Sequence, residues 1–556
     1  MSRSRVGVVL LTALFLPSPL GFAQIQNVPP FRFGINFPFR SPETASLATF
    51  LRLLNDAGTP ALRQLTFADV HWIQIEPQND VWNFVRADSA IENSNGIQCV
   101  PTFYHMAASP TRQVPGLQVP WRACYDASAN CGWNAARDSS DSKDYVQTVV
   151  RRYQSRVKYW EIANEMSSKM RRPLGLPLAE FVEFMHMNYR WIKEIDPQAS
   201  VLNPGLLGTY GLPMDRPRGW LREFLAAGGV GSFDILSYHD YNSWWTLPAH
   251  FDSLKALLDE FGLGSMPIWC TESSISSDPG VRITPDYASV DEQAADVWRR
   301  PVVLFARGLQ AYFWHSGWSS GGQSEWREFG ILSANGKKKK SFHAYRLLVD
   351  KLEGFAEARA LSFGEVTEDN NRGGDGVWVV EFRWPDGTRR WVAWSPDNQT
   401  FDLTQLHSAQ LNVTVVVPTS LSSDGETANF DSYTVDVTND TARLALTGTP
   451  ILIEESNVTA VESNTKSAPD GFALFQNYPN PFNPSTSVRF FLPRKANVVL
   501  KVFDLSGKEV AILVDEERPA GQHTVRFDAM GLASGVYLLR LTAGQWTQMR
   551  KAILMK

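Results

Sequence analysis

Two glutamates stand where apolar, strand-like runs end, one closing Tyr159-Trp160-Glu161-Ile162-Ala163-Asn164-Glu165 and one in Pro267-Ile268-Trp269-Cys270-Thr271-Glu272-Ser273. A single acidic residue at such a place is as readily a helix cap or a loop carboxylate. Two of them, each behind a run of buried type, point to paired-carboxylate chemistry. One group would protonate a leaving oxygen while the other attacks or activates water, which is what cleavage of a glycosidic bond requires. Other chemistries find less support, because the chain has no His-Glu-x-x-His, no Cys-x-x-Cys, no Walker or Rossmann glycine pattern and no Gly-x-Ser-x-Gly elbow. A metal held by His105, His239 and His315 is conceivable from their places at strand ends, but the reading expects no metal and no cofactor.

Carboxylates that must face each other need strands that end at one rim. From residue 30 to about 354, short β-like runs alternate with amphipathic helical stretches. The strands are read at 31–37, 61–66, 97–104, 157–162, 201–204, 235–238, 268–271 and 311–314, with helices including 43–57, 141–154, 178–195, 251–261, 290–307 and 341–352. Eight such units over roughly 325 residues predict a (β/α)8 barrel, whose functional residues gather at the C-terminal ends of the strands. A doubly wound open sheet is the competing architecture. It would carry a Gly-rich phosphate turn after its first strand, where this chain reads Gly34-Ile35-Asn36-Phe37-Pro38.

Beyond residue 354 the pattern turns to strands alone, giving a small antiparallel β domain over 355–455, a polar linker at 456–470 and a further all-β module over 471–556. A chain of 556 residues with 44% hydrophobic and 20% charged residues folds into several domains and is neither disordered nor collagen-like. Its formal charge of −5 and lack of a basic stripe argue against a nucleic-acid partner, and the run Lys337 to Lys340 reads as a solvated turn. Trp is frequent, at 19 residues, and indole faces suit the apolar faces of sugars.

At the N-terminus, Arg3 and Arg5 precede a short apolar run, and Gly21-Phe22-Ala23 supplies small residues before Gln24, the pattern of a secretory signal over 1–23 rather than a membrane anchor. Of the four cysteines, Cys124 and Cys131 lie close together in a polar loop and are the disulfide candidate, whereas Cys99 and Cys270 fall in apolar runs as buried thiols.

Asn164-Glu165 after the fourth strand and Glu272 after the seventh resemble the signature of retaining glycoside hydrolases of clan A, a large group of (β/α)8 glycosidases. Arg63 closing the second strand, His105 ending the third, His239-Asp240-Tyr241 ending the sixth and Trp314 ending the eighth agree with it across the whole barrel. The resemblance implies double displacement on a polysaccharide or oligosaccharide, with Glu165 as general acid and base and Glu272 as nucleophile. It also implies Arg63 as compensating charge, Tyr241 orienting the nucleophile, Asn164 on the sugar 2-hydroxyl, His105 and His239 on other hydroxyls, and Trp314 as the platform under the ring. Glu76, in Ile75-Glu76-Pro77, is read as structural. The segment 107–141, with Trp121 and Trp133, is expected to shape the substrate subsites. The alternative function is a catalytically silent barrel that binds glycans.

The stretch Asn477-Tyr478-Pro479-Asn480-Pro481-Phe482-Asn483-Pro484, with Val502-Phe503-Asp504-Leu505-Ser506-Gly507 and Leu532-Ala533-Ser534-Gly535-Val536-Tyr537, resembles the C-terminal sorting domain of the type IX secretion system. That resemblance implies the type IX machinery as partner and a route through the periplasm to the outer surface or medium. A carbohydrate-binding β-module is the competing reading, and its exposed aromatics are few.

Overall fold

The computed structural model describes residues 23–24, 29–36, 47–64, 70, 72–76, 80–92, 94, 97–103, 139–165, 178–208, 215–281, 287–320, 327–364, 375–456 and 472–554, the last without 475–476, 478–481, 483, 520 and 545. The chain separates into one unit at 1–459 and another at 460–556. The expected linker beyond Ser456, the signal segment up to residue 22, His105, and the loop holding Cys124, Cys131, Trp121 and Trp133 lie outside the described residues.

The first unit is built on a parallel sheet of nine strands. These are β1 Phe33–Asn36, β2 Ala61–Gln64, β3 Gln98–Phe103, β4 Tyr159–Ile162, β5 Ser200–Leu202, β6 Leu206–Gly208, β7 Leu236–Asp240, β8 Ile268–Ser273 and β9 Ala311–Trp314. Consecutive strands pair in parallel except β5 and β6, β9 pairs back onto β1, and an isolated parallel bridge from Leu202 to Ile235 closes the barrel at the gap. Nine strands stand where eight (β/α) units are expected because the fifth is broken at residues 203–205. The break is stitched by Asn203, whose Oδ1 accepts from the Ser237 backbone N–H at 2.6 Å and whose Nδ2 donates to the Ser237 carbonyl at 3.2 Å. Helices including Leu47–Asp56, Ser139–Tyr153, Leu178–Ile195, Leu247–Glu260, Val290–Phe305 and Lys340–Leu352 follow the strands. Among the described residues, no helix is long and apolar enough to cross a membrane.

Period-two alternation sorts the strand residues. Phe31, Ala61, Val100, Leu202, Ile235, Trp269, Ala311 and Phe313 form a core of their own inside the barrel, while Phe33, Ile35, Leu62, Tyr238, Cys270, Tyr312 and Trp314 join the larger core under the helices. The inner core is an aromatic floor, with Phe31 meeting Trp269 and Phe313 edge to face at centroid distances of 5.3 and 5.9 Å. Gly34 makes room for it: a Cβ there would lie 2.3 Å from Cδ1 of Phe313.

A seven-stranded antiparallel sheet follows, in the order Ala23–Gln24, Glu357–Ser362, Trp378–Arg383, Arg389–Trp394, Ile451–Glu455, Gln410–Val415, Ser432–Asp436. One face, with Trp378, Val380, Phe382 and Trp394, is continuous with the core beneath the helices, so the sheet packs on the barrel as one body. The lysine run is not a solvated turn. Lys338 is buried against Glu426 and Asp56, Lys339 donates to Ser277 and Glu328, and Lys340 meets Asp291. Three successive ammonium groups thus fasten the start of the last barrel helix to five partners.

The second unit has one sheet of Ala473–Leu474, Ser485–Leu492 and Gly521–Asp528 and another of Glu509–Arg518, Ala496–Asp504, Gly535–Ala543 and Trp546–Leu554. Alternate residues Val498, Leu500, Val502 and Leu539, Leu541, Ala543 share a buried core with Val488, Phe490 and Leu492.

Candidate active site

Above the aromatic floor the barrel interior turns polar, and the change begins with a residue that sequence reasoning missed. Glu161 points inward from β4 and is fully buried; its Oε2 accepts from Arg63 Nε at 2.6 Å and Thr102 Oγ1 at 3.0 Å, and its Oε1 from Ser237 Oγ at 2.8 Å. Its signal was a lone charge inside an aromatic strand run, two residues from the inward-facing Tyr159. An inward carboxylate there demands a cation, and Arg63 on β2 is that cation.

Arg63 then reaches upward. Nη1 donates to Glu272 Oε1 at 2.5 Å and to Asn36 Oδ1 at 3.0 Å, and Nη2 donates to Asn164 Oδ1 at 2.7 Å. The second oxygen of Glu272 accepts from the Tyr241 hydroxyl at 2.6 Å. Burial pushes the Glu272 carboxyl up, but His239, His315, Arg63 and the Tyr241 hydrogen bond together outweigh it and hold the group well below its ordinary value. Tyr241 is driven the other way, by burial first and then by the carboxylates of Glu272 and Glu165, so it keeps its proton and serves as a donor.

The inward aim of Glu272 comes from a bulge. Tyr238 pairs with Cys270 but His239 pairs with Glu272, so Thr271 is an extra residue in β8, and β9 shows the same shift against it. Trp269 and Thr271 face the interior, and regular alternation would send Glu272 out toward the helices. The bulge returns it to the barrel mouth, a use of bulges common beside active sites. Glu165 is turned by the backbone instead: Ala163 and Glu165 have φ of 60° and 52°, left-handed values that curl the chain over the end of β4.

His239, fully buried on β7, lies between the two glutamates. Its Nδ1 is 3.0 Å from Glu165 Oε1 and 3.5 Å from Glu272 Oε2, so it meets the carboxylates and not an open sugar site. Glu165, His239 and Glu272 present atoms that all lie within 4.8 Å of one another, a spacing at which three such groups can hold a metal ion. An ion would take the Nδ1 lone pair and force the ring proton to Nε2, which has no hydrogen-bond partner among the described residues. The cluster therefore fits a hydrogen-bonded arrangement better than a coordinated one.

Trp314 requires a correction. It is fully buried, belongs to the core under the helices and donates from its indole N–H to the Phe329 carbonyl at 3.3 Å, so it cannot lie beneath a bound ring. Alternation along β9 gives the inward place to His315, whose Nδ1 is 3.6 Å from Glu272 Oε2 and whose ring meets Tyr241 edge to face at 5.8 Å. Glu76 takes the Trp72 indole N–H on one oxygen and the Asp80 backbone N–H on the other, an arrangement that ties down its own loop. Cys99 and Cys270 are buried thiols that form no disulfide among the described residues.

Residues 476–555 match the family of the secretion system C-terminal sorting domain, which marks the chain for type IX export to the cell surface or beyond. No curated protein matches the chain by sequence. Among solved structures it is similar to a family 39 glycoside hydrolase from the gut symbiont Bacteroides cellulosilyticus WH2, with 17% identity and a TM-score of 0.53 over 77% of this chain and 81% of that one. An α-L-arabinofuranosidase from Thermotoga maritima gives 12% and 0.52, over 79% of this chain and 98% of that one. A glucosidase from Croceicoccus marinus gives 16% and 0.51, over 80% and 98%. At these identities the likeness is one of fold.

Proposed function

We propose that this chain is an exported retaining β-glycoside hydrolase that cleaves a polysaccharide or its fragments by double displacement. The observation that carries the reading is the approach of Glu165 and Glu272, whose carboxylate oxygens come within 4.8 Å. Retaining enzymes hold their carboxyl groups about 5–5.5 Å apart, whereas inverting enzymes need about 6.5–9.5 Å to admit a water between them.

In the first step an oxygen of Glu272 attacks the anomeric carbon as the bond to the leaving oxygen breaks, and Glu165 gives that oxygen its proton. The negative charge passes from Glu272 to Glu165. In the second step Glu165 takes a proton from water, the water oxygen attacks the anomeric carbon, and Glu272 leaves as a carboxylate. Arg63 and Tyr241 favour the ionised nucleophile before attack and again on its release. Asn164, anchored through Oδ1 to Arg63, keeps its amide N–H groups for the sugar 2-hydroxyl.

The test is sugar release from a panel of β-glycans and aryl β-glycosides by the wild type, Glu165→Gln and Glu272→Gln, with the anomer of the first product read by proton NMR. Release of the β anomer that disappears in Glu272→Gln supports the reading. An α product, or turnover that survives Glu272→Gln, defeats it, and tight glycan binding without turnover favours a silent glycan-binding barrel.

A further inference from the structure

Three features of His239 are not explained by a role in gripping sugar hydroxyls. The ring is fully buried, its Nδ1 reaches both carboxylates, and its Nε2 has no partner among the described residues. The last has a cause in the chain: Gly205, in the break between β5 and β6, lies so close that a Cβ on it would stand 2.2 Å from Nε2 and 2.7 Å from the two adjacent ring carbons. The imidazole rests against bare backbone. With no acceptor there among the described residues, a proton on Nε2 would be buried unpaired, whereas a proton on Nδ1 meets a carboxylate. His239 therefore keeps a donor at Nδ1.

A donor 3.0 Å from Glu165 Oε1 makes that oxygen an acceptor. A carboxyl proton on the same atom would confront the N–H head on, so the acid proton belongs to Oε2. We propose, resting on the glycosidase reading above, that His239 is a positioning residue that consigns the acid proton of Glu165 to Oε2, and that Gly205 fixes the tautomer with which it does so. His239 gives up no proton itself. As charge moves from Glu272 to Glu165 in the first step and back in the second, the same N–H, 3.0 Å from Glu165 Oε1 and 3.5 Å from Glu272 Oε2, stays within reach of both groups.

Such a role bears on protonation of the leaving group and not on attack. The test compares two substrates of the sugar the wild type hydrolyses best: a 2,4-dinitrophenyl β-glycoside, which departs without a proton, and a benzyl β-glycoside, which needs one. Asn at 239 places an amide N–H near the position of Nδ1, and Gln places it near Nε2. His239→Gln is expected to lose about 100-fold in kcat/KM on the benzyl glycoside and no more than about 10-fold on the dinitrophenyl glycoside, with His239→Asn recovering at least about 10-fold of the larger loss. Gly205→Ala, which keeps every reacting group but pushes the ring away, should show the same leaving-group bias, and it stands on its own if His239→Gln does not fold.

Equal losses on the two substrates, or Asn and Gln variants that behave alike, would overturn the proposal while leaving intact a glycosidase whose turnover vanishes in Glu272→Gln. A wild type that releases sugar from no glycan or glycoside of the panel would overturn both.

Discussion

Nη1 of Arg63 lies 2.5 Å from Oε1 of Glu272, and neither side chain is more than 4% exposed. The same guanidinium neutralises Glu161 through Nε at 2.6 Å, so one cation serves a structural carboxylate and the proposed nucleophile together. Arg63→Met strands two buried charges and should cost about 3–5 kcal/mol of stability, read by urea denaturation. A variant as stable as the wild type would show that the two carboxylates are not ionised together.

Tyr241→Phe removes one of the contacts that keep the Glu272 carboxyl below its ordinary value. A hydrogen bond to a charged group contributes about 1.5–3 kcal/mol, so kcat/KM should fall at least about 10-fold. The acid limb of its pH profile should move to higher pH. The sign follows from the depressed value: the ionised group is present above it and lost as pH falls through it, so weakening the depression brings that loss nearer neutrality. An unmoved acid limb would exclude Glu272 as the group titrating there.

Trp314 and His315 are neighbours with opposite duties. Trp314→Phe should lower thermal stability by loss of packing and of the bond to Phe329 while leaving KM within about 2-fold, since the indole lies under the helices. His315→Ala, beside Glu272 and Tyr241, should change KM with little change in melting temperature. The reverse pattern would restore Trp314 to the substrate side.

Gly34→Ala tests the floor on which the site stands. The added methyl meets the Phe313 ring at overlapping distance and should cost about 1–3 kcal/mol by overpacking, measured by chemical denaturation.

The alternation of strands and helices was plain in the residue pattern because each strand is a short apolar run between amphipathic stretches, and Glu165 and Glu272 stood out as acids closing such runs. Orientation was harder to read. In a parallel barrel both faces of a strand are buried, so Ala311-Tyr312-Phe313-Trp314 carries no polar alternation to say which ring looks inward. Parity gives the inward place to His315, and nothing local in the sequence distinguishes it from its neighbour. The extra residue in β8 was equally silent, since a bulge is a matter of pairing between strands. Glu161 escaped notice because its importance lies in a partner 98 residues away in the chain.

The bulge at Thr271 makes the candidate site separable from the barrel that carries it. Were β8 to pair regularly with every residue kept, Thr271 would stand opposite His239, the aromatic floor and the helical layer would be unchanged, and the carboxylate of Glu272 would face the helices instead of Arg63. A slip of one residue in the pairing at the end of a single strand would therefore leave a well-folded barrel with no carboxylate at that place, so the register of β8 is where the candidate site is made or lost as the chain folds.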